Sequence, residues 1–238
     1  PKASEGNISH TFEYWTVDGR RIAETSPTYS FVMDGDKVIE AVFNTIFTVT
    51  FATDNGEGSL REAISYLNTT EEGGTIRFSD QLAGAKIMLT ESLPTITKPI
   101  NIEGNGIILS GNEEFGILHI DNGKEYSTID VNISRIHITQ GSGAIHTAEN
   151  LTITSCVFTH NDDNVIDAFY AKDAAPIRLT VMASTFTDNT GAAINHGEGG
   201  WNWGTSHRSV VEGNLFYNNG QVADGYGGFK GIMTSNFN

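Results

Sequence analysis

Short runs of alternating apolar and polar residues fill the second half of the chain, and one six-residue phrase returns there. Its copies span residues 153–158, 181–186, 211–216 and 232–237. Each copy begins with a branched aliphatic residue, has a small or amide residue three places later and ends in phenylalanine. Internal repeats spaced by about 20 to 50 residues indicate a stacked architecture, in which no single repeat buries its own apolar face.

Two fainter copies of the phrase lie upstream. One contains Ile102, Asn105 and Ile107, and the other contains Ile133 and Ile138. The aliphatic residues that open the six copies are 31, 20, 28, 30 and 21 residues apart. Because the phrase is constant while the spacing varies, we expect constant strands joined by loops of unequal length.

The phrase predicts strands, because its apolar sites do not follow the i, i+3, i+4, i+7 spacing of an amphipathic helix. An asparagine comes three residues after each of Phe158, Phe186 and Phe216. Asparagine tolerates left-handed backbone and bonds to neighbouring backbone, so stacked turns predict a ladder of amide hydrogen bonds. A second apolar pair follows at 144–145, 165–166 and 193–194. Together these features predict an all-β fold, a single-stranded parallel β-helix with strands stacked about 4.8 Å apart.

Residues 1–46 have a different pattern and predict a small β-meander module ahead of the β-helix. The turns Val17-Asp-Gly-Arg20 and Asp34-Gly-Asp36 separate apolar runs, which is a hairpin signal. From Trp15 to Phe43 the pattern resembles the divergent internalin-type B repeat, a module that serves bacterial surface proteins as a spacer or an adhesive unit. No opening strand is evident before Asn7, so the resemblance implies a partial module.

One helix is predicted, at the start of the β-helix that we assign to residues 47–238. Ser59 and Glu62 have the spacing of a capping box, and Leu60, Ala63, Ile64 and Leu67 form one apolar stripe. Such a helix covers the exposed apolar end of a stack of coils. The phrase Ser-Leu-Arg-Glu-Ala with the segments that follow it, to about Gly111, resembles the start of a family of bacterial secreted right-handed β-helix proteins. The resemblance implies the fold and a secreted, surface-associated protein, and it does not specify a reaction.

Composition narrows the class of protein. With 14 Lys and Arg against 29 Asp and Glu, the net charge is −15, which argues against a nucleic-acid partner. No apolar run approaches the roughly 18 residues of a membrane span, and the first 30 residues contain no signal-peptide core. We therefore expect either that a signal has been removed or that the chain belongs to a longer protein. Cys156, the single cysteine, is expected to be a buried structural thiol.

Polar residues that follow the second apolar pair of each coil are the first candidate site. His146, Asp167 and Asn195 come directly after an isoleucine and are expected to form an outward-facing column, with His119 and His196 nearby. Such a column suits sugar hydroxyls, a cation, or an acid and base in a polysaccharide lyase or glycosidase. The alternative is an ordinary polar outer face.

Clustered carboxylates provide a second candidate site, for Ca²⁺. Asp162, Asp163 and Asp167 supply the oxygen ligands that calcium prefers. A turn between stacked strands accounts equally well for these residues, and no other cofactor is predicted. The zinc-site spacings of paired histidines or cysteines are not present in the sequence.

The long loop from residue 196 to 207 is the third candidate. Trp201 and Trp203 are two residues apart and lie on one side of an extended chain, where they suit stacking on sugar rings or burial in a protein interface. The alternative is that they fold back on the flank of the β-helix. Arg178 and Arg208 are the only arginines after residue 151, which weakens the lyase hypothesis, as does repulsion between an acidic chain and polyuronates.

These patterns favour a non-enzymatic, extracellular surface protein, either an adhesin, a spacer or a self-assembling filament subunit. Its partners would be glycans or proteins of a host or cell surface. The last phrase begins a coil that stops at Asn238, so we expect the β-helix to continue beyond it or to be completed head to tail by another copy. The alternative is a carbohydrate-active enzyme that uses the outer face.

Overall fold

A computed structural model describes residues 5–170, 175–198, 208–224, 229–230 and 234–236. Helix α1 spans Leu60–Leu67, and short 3-10 helices span Glu5–Asn7 and Asp80–Leu82. The strands in chain order are β1 (Ile8–Val17), β2 (Arg20–Arg21), β3 (Ile39–Val49), β4 (Gly74–Phe78), β5 (Lys86–Met88), β6 (Ile100–Glu103), β7 (Ile108–Ser110), β8 (Leu118–Ile120), β9 (Asp130–Ser134), β10 (His137–Thr139), β11 (Ile145–Thr147), β12 (Asn150–Thr154), β13 (Val157–Thr159), β14 (Ile166–Tyr170), β15 (Arg178–Met182), β16 (Thr185–Thr187), β17 (Ala192–Glu198), β18 (Arg208–Glu212), β19 (Leu215–Tyr217), β20 (Gln221–Asp224), β21 (Phe229–Lys230) and β22 (Thr234–Asn236).

The strands form three sheets that run along the molecule. The first sheet has the order β2-β1-β3-β4-β6-β9-β12-β15-β18-β21, the second β22-β19-β16-β13-β10-β7-β5, and the third β20-β17-β14-β11-β8. From β3 onward all strand pairs are parallel, and each full coil contributes one strand to each sheet. The predicted parallel β-helix is therefore confirmed.

The corners between sheets use left-handed backbone at repeated positions. The residue that follows the first-sheet strand has φ near +50° to +66° at Arg135, Ser155, Ala183 and Gly213. The residue that follows the second-sheet strand is also left-handed, at Gln140, His160, Asp188 and Asn218. These conformations reverse the chain locally, and non-glycine residues adopt them at a steric cost that the stacked neighbours offset.

The predicted apolar columns fill the interior. Ile102, Ile133, Ile153, Val181 and Val211 are neighbours in register along the first sheet, and all five are buried. The three aromatic residues stack face to face, with ring centroids 4.6 Å apart for Phe158 and Phe186 and 5.0 Å apart for Phe186 and Phe216. The repeat identified in the sequence thus corresponds to contacts between successive coils.

The predicted asparagine ladder is also present. The Asn161 side chain donates to Asn189 Oδ1 at 3.0 Å, and the Asn189 side chain donates to Asn219 Oδ1 at 2.7 Å. The left-handed residues are not these asparagines but the residues that precede them, His160, Asp188 and Asn218. The asparagines therefore act through their side chains, which bond to the coil on either side.

The outermost copies of the phrase differ from the prediction. Leu109 pairs with Ile138, so Ile107 does not belong to the large apolar column and Asn105 is a left-handed corner residue. Seven residues separate Ile102 from Leu109 against five between Ile133 and Ile138, because this corner contains two additional residues. At the other end Ser235 pairs with Phe216, whereas the phrase predicts Phe237 there; Ile232 and Phe237 lie outside the described residues.

Helix α1 covers the amino-terminal end of the stack as predicted. The Ser59 side chain accepts a hydrogen bond from the Glu62 backbone N–H, and Leu60, Ala63, Ile64 and Leu67 are buried. Arg61 donates to Asp54 at 2.7 Å and to the backbone oxygens of residues 91 and 92, which fixes the helix to the adjacent loops. The Ser-Leu-Arg-Glu-Ala phrase therefore has a structural role at each position.

The amino-terminal module is built on β1 and β3, which pair antiparallel. The predicted turn forms at Asp18 and Gly19, both left-handed, and β2 follows it. Residues 22–38 contain no strand in the part of the chain that the structure describes, although the Trp15 indole donates to the Ser26 carbonyl at 2.9 Å. Strand β3 crosses the predicted boundary between the module and the β-helix, which lies between residues 46 and 47. It pairs with β1 on one side and with β4 on the other, so one sheet joins the module to the β-helix.

Candidate functional site

The first candidate site is a column of polar side chains on the outer face of the third sheet. His119, His146, Asp167 and Asn195 are successive neighbours in register on β8, β11, β14 and β17. The residues on either side of them in each strand point inward, because successive side chains on a strand face opposite sides of the sheet. The predicted column of His146, Asp167 and Asn195 is therefore brought together, with His119 beside it.

Hydrogen bonds link the side chains of the column. His146 Nδ1 donates to Asp167 Oδ2 at 2.9 Å, and Asn195 Nδ2 donates to Asp167 Oδ1 at 2.7 Å. The His119 and His146 rings are 5.2 Å apart between centroids, and His119 Nδ1 lies 3.3 Å from Thr95 Oγ1. Because each group is held by its neighbour, the column presents its polar atoms in fixed positions.

The same contacts set the charge of the column. The hydrogen bond to Asp167 raises the pKa of His146 above its ordinary value, against the opposing effect of burial. The hydrogen bond from His146 lowers the pKa of Asp167, and the bond from Asn195 adds to this effect. Burial lowers the pKa of His119, and the neighbouring His146 lowers it further. At neutral pH the column therefore contains an anionic Asp167 with a neutral His119.

Removing the Asp167 charge should lower the pKa of His146. In Asp167→Asn the carboxylate that favours the imidazolium is gone, so the pKa of His146 should fall toward or below its ordinary value of 6.5, while that of His137 on another face should not change. Proton NMR titration of the imidazole Cε1–H signals measures both. An unchanged His146 titration would contradict the ion pair.

The pair should also stabilise the fold over a defined pH range. The raised pKa of His146 stabilises the folded state below the ordinary value of 6.5, and this stabilisation is lost as the pH rises through the folded pKa. The lowered pKa of Asp167 stabilises above 3.8, and this stabilisation is lost as the pH falls through the folded pKa. Both contributions are fully present between these two ordinary values.

A surface groove with a volume of about 310 Å³ runs beside the column. Its lining includes His119, His146, Asp167, Asp163 and Asn164. The loop residues Ser92, Thr95 and Ser142 complete the polar lining, and no lysine or arginine contributes to it within the described residues. The sequence did not indicate these loop residues, because only the folded corners bring them to the third sheet.

One predicted site residue, His196, lies away from the column, on the inner face of the sheet. His196 is 2% exposed, pairs in register with the buried Ala168 and is hydrogen-bonded to the Ser209 hydroxyl. It follows Asn195 directly, so the alternation of the strand places it on the inner face. Trp201 and Trp203 lie outside the described residues.

The three carboxylates considered for calcium have protein partners. Asp162 accepts from the Thr190 hydroxyl at 3.0 Å, Asp163 from the Asn164 backbone N–H at 2.8 Å, and Asp167 from His146 and Asn195. No cluster of three or more His, Cys, Asp or Glu with metal-binding geometry occurs among the residues that the structure describes. Calcium binding stays a prediction.

Among the residues that the structure describes, no helix has the length and apolar character needed to cross a membrane.

A scan against protein-family models gives no match, and a search of curated proteins finds no similar sequence.

Proposed function

We propose that the protein is a non-enzymatic extracellular surface protein, an adhesin or spacer, and that the groove on its third sheet binds a neutral glycan. The observation that supports this proposal best is the column of His119, His146, Asp167 and Asn195, the first three of which line the groove. Its residues carry hydrogen-bond donors and acceptors in a fixed row, which is what recognition of many sugar hydroxyls requires.

The stacked coils make this row a rigid platform. Adjacent strands are about 4.8 Å apart, so polar groups recur at that interval along the face. The hydrogen bonds between neighbouring side chains reduce the conformational entropy that they lose when a ligand binds. An extended glycan chain is the class of ligand that presents polar groups over a comparable length.

The charge of the groove favours a neutral ligand. Asp163 and Asp167 line it, and neither lysine nor arginine does so in the described part of the chain. The whole chain has a net charge of −15, so acidic polysaccharides are repelled at encounter. A composition rich in threonine, glycine and asparagine and the resemblance to secreted β-helix proteins support the extracellular location.

One observation favours the alternative function, a carbohydrate-active enzyme. A histidine oriented by a carboxylate, as His146 is by Asp167 at 2.9 Å, is an arrangement that serves as a general base or acid. A hydrolase or lyase also needs a second group that acts on the opposite side of the scissile bond or neutralises developing charge. The contacts of the described residues do not identify such a group, so binding is the function that the geometry supports better.

A panel of neutral and acidic polysaccharides, assayed for both binding and product formation, tests the proposal. We expect binding of a neutral glycan without product, and about a tenfold weaker affinity in His146→Ala and in Asp167→Asn, corresponding to about one hydrogen bond each. His137→Ala on β10, in the second sheet, is the matched control and should bind as the unmodified chain does. Product formation that disappears in Asp167→Asn would establish the enzyme instead, and absence of binding to every neutral glycan would overturn the proposal.

A further inference from the structure

Four asparagine–glycine pairs occur in the chain, at residues 55–56, 105–106, 122–123 and 219–220. Glycine has no Cβ, so its backbone nitrogen can approach the side-chain amide of the asparagine before it with little hindrance. We propose that Asn55 is a site of spontaneous covalent modification, at which the Gly56 nitrogen attacks this amide and water converts the product into aspartate or isoaspartate. The inference is independent of the groove on the third sheet.

The reaction consumes water and releases ammonia. Hydroxide from the solvent takes the proton of the Gly56 N–H, the nitrogen forms a bond to Asn55 Cγ, and the side-chain nitrogen leaves as ammonia with a proton from water. The product is a cyclic succinimide. Water opens the ring at the side-chain carbonyl to give aspartate, or at the main-chain carbonyl to give isoaspartate, in which the backbone runs through Cβ and Cγ. No oxidant or reductant takes part.

Both reacting groups are accessible at Asn55. Asn55 and Gly56 are exposed, and a Cβ placed on Gly56 would meet no atom within 4 Å, so the space beside this residue is open. Neither the Asn55 side chain nor the Gly56 N–H has a hydrogen-bond partner among the residues that the structure describes. The side chain can therefore turn toward the backbone, and the N–H can lose its proton, without a hydrogen bond being broken first.

The other three pairs are held at both groups, because each asparagine side chain donates one hydrogen bond and each glycine N–H donates another. The side-chain bonds run from Asn105 to Asp80 at 3.3 Å, from Asn122 to the Ser127 carbonyl at 2.8 Å and from Asn219 to the Phe186 carbonyl at 2.8 Å. The N–H bonds run from Gly106 to the Arg135 carbonyl at 2.7 Å, from Gly123 to the Asp121 carboxylate at 2.7 Å and from Gly220 to the Asn189 carbonyl at 2.9 Å. These bonds must break before the attack, which raises its barrier.

Contacts on either side of the reacting pair hold it against the amino-terminal cap. Asp54 is buried and accepts hydrogen bonds from Arg61 at 2.7 Å and from the Thr90 N–H at 2.9 Å. The Gly56 carbonyl accepts from the N–H of Ser59, the residue that caps α1, at 3.3 Å. Isoaspartate adds one carbon atom to the backbone between these anchors, so at least one of the contacts must lengthen. We therefore expect the isoaspartyl form to be less stable.

Peptide mapping by mass spectrometry, after incubation of the folded chain in mildly alkaline water enriched in heavy oxygen, tests the proposal. The label enters residues that water has converted. We expect Asn55 to convert at least about tenfold faster than each of the other three asparagines, since these must first break two hydrogen bonds. The rate should rise with pH, because the attacking nitrogen must lose its proton. In denaturant all four should convert at comparable rates, which separates the effect of the fold from that of the sequence.

Three variants complete the test. Asn55→Gln should abolish conversion at this position, because the longer side chain closes a six-membered ring much more slowly. Asp121→Ala removes the acceptor of the Gly123 N–H and should accelerate conversion of Asn122, with Asn219 as the unchanged internal control. Asn55→Asp carries the charge of the product on an unaltered backbone. The isoaspartyl form, separated by chromatography, should unfold at a lower urea concentration than Asn55→Asp.

Three results would overturn the inference. Equal conversion of Asn55 and another of the four asparagines in the folded chain would show that the fold does not select the site. Conversion of Asn55 only in denaturant would show that the folded loop prevents the attack. An unchanged rate at Asn122 in Asp121→Ala would show that the hydrogen bond to the glycine N–H does not limit the reaction. Equal stability of the isoaspartyl form and Asn55→Asp would contradict the expected effect on the helix cap.

Discussion

Replacing Phe186 by alanine should lower the free energy of unfolding by about 3–5 kcal/mol, the usual cost of deleting a fully buried phenylalanine. Phe186 is the middle ring of the stack and contacts Phe158 on one side and Phe216 on the other, at 4.6 and 5.0 Å. The variant loses the transfer free energy of one ring and both aromatic contacts, and it leaves a cavity between two coils. Urea denaturation followed by circular dichroism measures the change.

Tyr217→Ala is the matched control for this experiment. Tyr217 directly follows Phe216 on β19 and is 43% exposed, so its side chain points away from the interior. Its removal should change the free energy of unfolding by less than about 1 kcal/mol. Similar losses for the two variants would mean that the aromatic column is not the interior of the molecule, and the proposed stacking would be wrong.

Replacing Asn189 by aspartate should destabilise the protein strongly at neutral pH. Asn189 Oδ1 accepts from the Asn161 backbone and side chain, both at 3.0 Å, and its Nδ2 donates to the Phe158 carbonyl at 3.1 Å and to Asn219 Oδ1 at 2.7 Å. A carboxylate retains the accepting role but places a second oxygen against two acceptors. We expect a loss of about 3 kcal/mol or more, from a buried charge and two oxygens without a donor.

The sign of the pH dependence identifies the cause. Because burial and the facing oxygens disfavour the charged form, the pKa of the new carboxyl should be higher in the folded than in the unfolded state. The variant should therefore regain stability as the pH falls below that folded pKa, since a protonated carboxyl donates again. Asn101→Asp, on the surface, is the control, because its carboxylate still accepts from Asn132. A pH-independent loss in Asn189→Asp would indicate a packing defect instead of the missing donors.

The repeated phrase was sufficient to predict the β-helix, because each position of the phrase has the same environment in every coil. Ile153 and Val181 are neighbours in register for that reason. The prediction failed where a corner changed length, as between Ile102 and Leu109, since spacing along the chain then no longer reports position in the coil. The prediction also failed at the turns, where the left-handed residue is the one before the asparagine. His160, Asp188 and Asn218 occupy that preceding position, and their residue types tolerate left-handed backbone as well.

The candidate sites were predicted less completely than the fold. The strand alternation placed His146, Asp167 and Asn195 on one face, and the same alternation, applied one residue further, indicates that His196 points inward. The groove beside the column was not predicted, because its lining combines strand residues with loop residues as distant along the chain as Ser92 and Asn164. Each of these residues alone is an ordinary polar surface residue, and only the stacking of the strands brings them to one groove.

Strand β3 belongs both to the module and to the β-helix, and this continuity bears on how the two parts can move relative to one another. It pairs with β1 of the module along one edge and with β4 along the other, so β1, β3, β4, β6 and β9 belong to one hydrogen-bonded sheet. Because the sheet is continuous between the two parts, it leaves no hinge about which they could close around a ligand. A ligand that contacts both parts would therefore bind a preformed surface, and no free energy would be spent on domain closure.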